Sequence, residues 1–306
     1  MRPGNLMNGS GVAYQRKGLK MSGAIMIPLS DISAKFPQLV GIAAFRTGGQ
    51  KSVYRATHLD YGEIALKLIS PQTQFERIER EIDVVKRLDI DNVPKIYETG
   101  YIDFSDNQIF YMLEQFVDGV SLREKYAGAN GQVKMSKDDA VNLLRTMLDA
   151  IVRLEQEHII HRDIKPENIL VGHDGKYWLI DFGAARDMDG STLTMTGRCA
   201  PLTPGYAAPE QFKAELKKQL DSRADLFALG VTVYELVSGS NPFVRPGYGA
   251  YDVLRSTIVE TADTLDIPGD DNGELAGFIK TLMQKSPTFR PPTAEIAQMF
   301  FNGLKI

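Results

Sequence analysis

The spacing of apolar residues divides the chain into three stretches. Up to about residue 35, glycine, asparagine and lysine are frequent and no period is sustained, so residues 1–35 are expected to form a flexible extension. From Gln38 to about Leu113 the pattern is that of strands. Gln38–Phe45, Ser52–His58 and Glu63–Ile69 are parted by the turn residues Gly48-Gly49 and Asp60-Tyr61-Gly62. Ile78, Ile82, Val85 and Leu88 then recur at helical spacing with charges between them, which predicts a helix over Gln74–Leu88. Two more strands are expected near Pro94–Ile102 and Gln108–Glu114.

Beyond Glu114 the period becomes helical. Ser136 is placed to cap a long helix, with Asp139 three residues on as a variant capping box, and Val141, Leu144, Leu148 and Ile151 follow the turn. Arg223–Ser238 is apolar almost all round from Leu226 to Leu236. That marks a buried helix, and Gly239 suits its C-terminal cap. Shorter helices are expected near Tyr251–Glu260, Glu274–Gln284 and Ala294–Asn302. A small strand-rich lobe followed by a larger helical one implies a cleft between them, with the hinge near Glu114–Gly119.

Composition narrows the classes. A net charge of −4 gives no general attraction to nucleic acid or an anionic membrane, so no nucleic-acid partner is expected. The one cysteine, Cys199, excludes a disulfide framework or a cysteine-built zinc site within one chain; it is read as an inert thiol and suits a cytoplasmic setting. The apolar stretch Ala24–Leu29 falls far short of the roughly 20 residues a membrane span needs, and Met1–Met21 is too polar for a secretory signal, so no membrane segment is expected.

The chemistry concentrates in His161-Arg162-Asp163-Ile164-Lys165-Pro166-Glu167-Asn168-Ile169-Leu170. Phosphoryl transfer to an alcohol needs a carboxylate that orients the hydroxyl and takes its proton, and cations to manage the phosphates. Asp163 can be that carboxylate and Lys165 can stabilise the moving phosphoryl group. Asn168 can offer an oxygen to Mg²⁺, a hard cation. After the short strand Tyr177–Ile180, Asp181-Phe182-Gly183 supplies a second metal carboxylate and a flexible turn. In Ala65-Leu66-Lys67 a strand lysine can reach the α- and β-phosphates, with Glu81 on the following helix as its natural partner. His161 is read as a structural core residue.

In this order and at these spacings the motifs resemble the protein kinase superfamily, in its eukaryotic-like (Hanks-type) serine/threonine class, over about residues 38–302. Ala208-Pro209-Glu210 and the helix motif Asp225–Gly230 belong to the same set, and Arg290 stands where the family places the partner of that glutamate. The wording Gly205–Gln211 is similar to bacterial members. The resemblance implies an α+β bilobal kinase fold over residues 36–303. Its β-rich N-lobe (36–115) carries one main helix, and its C-lobe (116–303) is larger and helical. It further implies ATP with Mg²⁺, or alternatively Mn²⁺, as cofactors and a protein substrate. Val53, Ala65 and Leu170 would sandwich adenine, whose edge would bond hinge backbone at Glu114 and Phe116. Val85, Ile96, His161 and Phe182 would stack as a spine. Lys165 and Thr203, the latter bonding both Asp163 and Lys165, place the acceptor in the serine/threonine class.

One element departs from the family pattern. Aligned on Val53, the glycine-rich loop keeps Gly48, supported by Gly49, but has Arg46 and Lys51 at the two other glycine places. These cations either add charge near the triphosphate or crowd the loop. That departure motivates an alternative reading, a pseudokinase-like nucleotide- or partner-binding module; a third is a small-molecule kinase on a related fold. Arg162 before Asp163 points to ordering of the activation segment by phosphate. Thr194 and Thr196 are the candidate autophosphorylation sites, unless Ser191–Thr196 is only a flexible loop. Phosphorylation in trans would imply at least transient homodimers.

Overall fold

The computed structural model describes residues 27–47, 51–69, 86, 89–104, 107–127, 133–182, 186–187, 203–213 and 220–306. Gly48, Gly49, Gly183, Thr194, Thr196 and Cys199 lie outside these residues. So does the expected helix Gln74–Leu88 apart from Lys86, and with it Glu81 and Val85. Five strands, β1 (Leu39–Thr47), β2 (Lys51–His58), β3 (Gly62–Ile69), β4 (Ile96–Phe104) and β5 (Asn107–Gln115), make an antiparallel sheet in the order β1-β2-β3-β5-β4. The hydrophobic alternation had placed each of them to within a few residues.

Because side chains alternate across a strand, the register sorts this sheet into two faces. Val53 stands opposite Lys67, Ala65 opposite Glu114, and Lys67 opposite Met112. These share one face. Tyr54, Ala56, Ile64, Leu66, Leu68, Ile109 and Leu113 form the other, a separate small core. That second face is covered by α1 (Leu29–Lys35), which buries Ile32 completely and leads into buried Phe36, whose ring meets Tyr111 edge-on at 5.0 Å. Residues 29–35, expected within a flexible extension, thus form a helix packed on the sheet. The signal missed was a helix of about two turns, too short to carry a period.

The second lobe holds α2 (Leu122–Tyr126), α3 (Lys137–Gln156), α4 (Arg223–Ser238), α5 (Ala250–Val259), α6 (Glu274–Leu282) and α7 (Ala294–Asn302). At the start of α3 the Ser136 hydroxyl accepts from the Asp139 amide at 3.1 Å, as its capping role predicts. The return half of the capping box is not made; the Asp139 carboxylate instead accepts from the Tyr126 hydroxyl at 3.5 Å. In α4 every residue from Ala224 to Val237 is buried, and Gly239 closes the helix in the left-handed conformation at φ 89°. Among the described residues no helix is long and apolar enough to cross a membrane.

Gly230 of α4 lets α6 approach. A Cβ there would stand 2.9 Å from both Leu282 Cβ and Met283 Cγ. Alanine's better helix propensity is worth about 1 kcal/mol, and overpacking costs about 1–3 kcal/mol. Gly230→Ala is thus expected to lower stability by up to about 2 kcal/mol, read as a lower urea midpoint at unchanged slope.

Two small strand groups bring the reactive loops together. β6 (Gly119–Ser121), β8 (Ile169–Gly172) and β9 (Tyr177–Leu179) form one sheet, and β7 (Ile159–Ile160) pairs with β10 (Arg186–Asp187). Residues 161–168 span from β7 to β8, and Asp181 follows β9.

Candidate active site

The loop 161–168 is fixed from below by α4. Both carboxylate oxygens of buried Asp225 accept backbone N–H groups, from His161 and from Arg162, each at 2.7 Å. Burial raises the Asp225 pKa, against the opposing pull of His161 and these two amides. His161 is fully buried; its Nε2 faces the Ile180 carbonyl at 3.1 Å and its ring meets Phe182 edge-on at 4.7 Å. It therefore packs the loop after β9 against the loop after β7, the structural role expected of it. His158, Arg162 and Asp181 hold left-handed φ of 60°, 70° and 71°. Side chains other than glycine rarely adopt that conformation, and here it gathers around the reactive loops.

At the centre of the loop the Asp163 carboxylate is surrounded by donors. Lys165 Nζ lies 2.9 and 2.7 Å from its two oxygens, the Thr203 hydroxyl donates to Oδ1 at 2.8 Å, and Asn168 Nδ2 donates to Oδ2 at 2.8 Å. Lys165 also donates to Thr203 Oγ1 at 2.9 Å. The bridging threonine expected from the sequence is thus in place, 40 residues along the chain from Asp163. Asn168 Nδ2 donates a second time, to the Asp163 carbonyl at 2.8 Å. Both amide protons are thus directed at oxygens of Asp163, which leaves the Asn168 amide oxygen clear of these bonds.

Facing this cluster is the polar side of the five-stranded sheet. Lys67 is buried and its Nζ lies 2.6 Å from Glu114 Oε1. Burial pulls the Lys67 pKa down, but Glu114 and Asp181 outweigh it and hold the ammonium above its ordinary value. Asp181 forms an ion pair with Lys51. Burial opposes its charge; Lys51 and then Lys67 overcome that and depress its carboxyl far below the usual range. Ala65 and Leu170 are buried yet belong to neither hydrophobic core, and Val53 is half-buried on the same face as Ala65, as cleft-lining residues should be. Phe182 and Ile96 sit with the main core.

Three features bear on the sequence expectations. Among the described residues the carboxylate paired with Lys67 is Glu114; Glu81 falls outside them. The main chains of Glu114 and Phe116, expected at the adenine edge, are both engaged with β3. Glu114 lies inside the ladder, opposite both Ala65 and Ile96, and the Phe116 amide donates to the Glu63 carbonyl at 3.3 Å. Strand alternation turns their main-chain groups into the sheet rather than toward a ligand. Lastly, the cations at the glycine places are each taken by a carboxylate across the cleft: Lys51 by Asp181, and Arg46 by Glu124 at 2.5 Å.

Sequence reading missed Arg123. From α2 its guanidinium reaches Glu167 at 2.7 Å, Glu235 at 2.6 Å and the Tyr206 hydroxyl at 2.5 Å, tying the reactive loop to α4 and to the segment after Thr203. The signal available was Ser121-x-x-Glu124, a capping box that is formed and fixes the start of α2. The ion pair expected between Glu210 and Arg290 is present and two-pronged, at 2.6 and 2.9 Å.

Comparison with known proteins agrees with this geometry. A family profile described as "Protein kinase domain" matches residues 46–301. The chain is 33% identical over 255 residues to the serine/threonine-protein kinase PrkC of Bacillus subtilis, covering 81% of this chain and 37% of that protein. It is 30% identical over 262 residues to the probable serine/threonine-protein kinase PknB of Corynebacterium glutamicum, covering 82% and 40% respectively. It is 34% identical over 259 residues to the probable serine/threonine-protein kinase SCO3848 of Streptomyces coelicolor, covering 81% and 37%. The chain thus spans 37–40% of the length of these relatives.

Proposed function

The chain belongs to the protein kinase family, and from that premise we propose that it is a serine/threonine protein kinase that transfers the γ-phosphoryl group of ATP to hydroxyls of a protein substrate. One observation carries this reading: Asp163 is held by Lys165, Thr203 and Asn168 in a single hydrogen-bonded cluster. An incoming hydroxyl would displace part of that cluster, donate to Asp163 and lose its proton there. Its oxygen bonds the γ-phosphorus as the bond to the β-phosphate oxygen breaks, and ADP leaves. Lys165, beside both Asp163 and Thr203, supplies positive charge next to the group in flight. Lys67 meets the remaining phosphates.

The residues also fit a magnesium ion, with manganese as the alternative. Asp181 is kept ionised and the Asn168 amide oxygen is clear of the bonds to Asp163. One or two protein oxygens together with phosphates suit such a cation. When bound, such an ion neutralises charge on the phosphates. For the adenine edge, the ladder phase favours the Gln115 carbonyl and the Val117 amide, one residue out of step with Glu114 and Phe116.

Lys51 competes with the metal for Asp181. The pair is about a third exposed on each side, and such pairs are worth about 0–1 kcal/mol. Lys51→Gln is therefore expected to lower the Mg²⁺ concentration for half-maximal activity by up to about fivefold, measured by titrating Mg²⁺ at fixed ATP. A requirement that rises instead would mean that Lys51 serves the phosphates.

The function is tested by incubating the protein with labelled ATP, Mg²⁺ and a generic protein substrate, then hydrolysing the product. Labelled phosphoserine or phosphothreonine is expected. ATP bound with no transfer would replace this reading with that of a binding module, and transfer only to a small alcohol with that of a small-molecule kinase. Peptide mapping of the same reaction reads the autophosphorylation sites, for which we keep Thr194 and Thr196. Modification in trans would need transient dimers. A cytoplasmic setting, with ATP and a lone reduced cysteine, belongs to the same proposal.

A further inference from the structure

We propose that Glu114 is a positioning residue for Lys67: its carboxylate, carried by the doubly flanked strand β5, holds the ammonium that the nucleotide phosphates meet. The inference rests on reading the cleft as a phosphoryl-transfer site.

Register makes the contact. Lys67 stands opposite Met112, so Glu114, two residues further along the same face, is its diagonal neighbour. Diagonal pairs in an antiparallel sheet lie within reach of long side chains. Here the reach is used: Nζ and Oε1 are 2.6 Å apart, with Lys67 6% and Glu114 8% exposed. So deeply buried an ammonium stays charged only beside an anion. An uncharged lysine would be of little use to a triphosphate.

The location of the carboxylate also matters. Glu114 is laddered to Ala65 on one side and Ile96 on the other, so its backbone cannot move without breaking the sheet that carries Lys67. A carboxylate on a separate helix, as the sequence suggested for Glu81, can be withdrawn when packed helices slide. A partner on the neighbouring strand cannot be withdrawn that way. Glu114 need not let go when nucleotide arrives, because an ammonium has three donors and the pair uses only part of them. The placement of Lys67 is thereby built into the sheet.

The experiment uses the full chain with Glu114→Gln, Lys67→Met and the Lys67→Met/Glu114→Gln double variant. Calorimetry with Mg-ATP is expected to give about tenfold or more weaker affinity for Glu114→Gln. The double variant should bind no more weakly than Lys67→Met alone. In steady-state assays KM for ATP should rise while KM for the protein substrate stays, a split that general loosening of the fold would not produce. Denaturation of the ligand-free variants closes a double-mutant cycle on the pair without any nucleotide. Absent coupling between Lys67 and Glu114 there would overturn the proposal. So would unchanged or tighter ATP binding by Glu114→Gln. If the wild type transfers no phosphate, the kinase reading fails, while affinity and the denaturation cycle still decide this one. Should Glu114→Gln fold poorly, Glu114→Met, of similar volume and no charge, takes its place in each arm.

Discussion

Asp163→Asn is expected to slow phosphoryl transfer by about 10²–10⁴-fold, the range a positioned general base supplies, while Mg-ATP affinity stays within about threefold of wild type. The geometry explains why the two quantities separate. Asp163 accepts from Lys165, Thr203 and Asn168, and among the described residues its one ion pair is with Lys165, whereas Lys67 pairs with Glu114 and Lys51 with Asp181. Asparagine keeps the size and one acceptor oxygen, enough for Lys165 and Thr203 to hold the loop. It cannot take a proton from an incoming hydroxyl. Alanine would be a poorer test, because it leaves Lys165 and Thr203 no acceptor at that position. Labelled-phosphate transfer and calorimetry on the same preparations check the prediction. A variant that kept more than about a tenth of wild-type transfer would mean that the proton leaves by another route.

Much of this site was legible because its parts are local in sequence. Asp163, Lys165 and Asn168 lie within six positions, and their chemistry follows from residue type. The strands were legible because a two-residue period is dictated by burial on one face. Capping at Ser136 and closure at Gly239 follow from backbone groups that any helix end must satisfy. What escaped depends on register. Shifting a strand by one residue exchanges its faces, and nothing in Met112-Leu113-Glu114-Gln115-Phe116 says which of these turns toward the cleft. Only the pairing of Ala65 with Glu114 settles it, and with it the face on which Glu114 lies. Arg123 escaped for a related reason. Its three partners lie 44, 83 and 112 residues away, so no window of sequence contains the interaction. The cover over the outer face of the sheet escaped because α1 has only seven residues and one fully buried side chain, Ile32.

The largest expected loss of stability comes from splitting Glu210 and Arg290. The Arg290 side chain has no exposed surface and that of Glu210 is 8% exposed. Besides both carboxylate oxygens, the guanidinium donates to the carbonyls of Gln284, Arg223 and Lys285 at 2.7, 2.8 and 3.1 Å. Its plane lies over Phe227, 4.9 Å from the ring centre. One arginine therefore gathers the turn at 209–212, the first residue of α4 and the segment before α7. Glu210→Gln keeps the shape but leaves a buried cation facing a neutral amide. Removing one partner of such a pair costs about 3–5 kcal/mol. For a domain of this size that corresponds to a Tm lower by roughly 10 °C, read by thermal and chemical unfolding. Replacing both partners with apolar residues should recover part of the loss, because the uncompensated charge disappears. The recovery should stay incomplete, since three carbonyls lose their donor. Activity is expected to fall as well, below the unfolding transition. The turn that Glu210 anchors follows directly on Tyr206, which is bonded to Arg123 and Glu235, and on Thr203, which is bonded to Asp163. A Glu210→Gln variant that is less stable yet fully active would mean that the Thr203 to Asp163 contact is held by the Arg123 network alone.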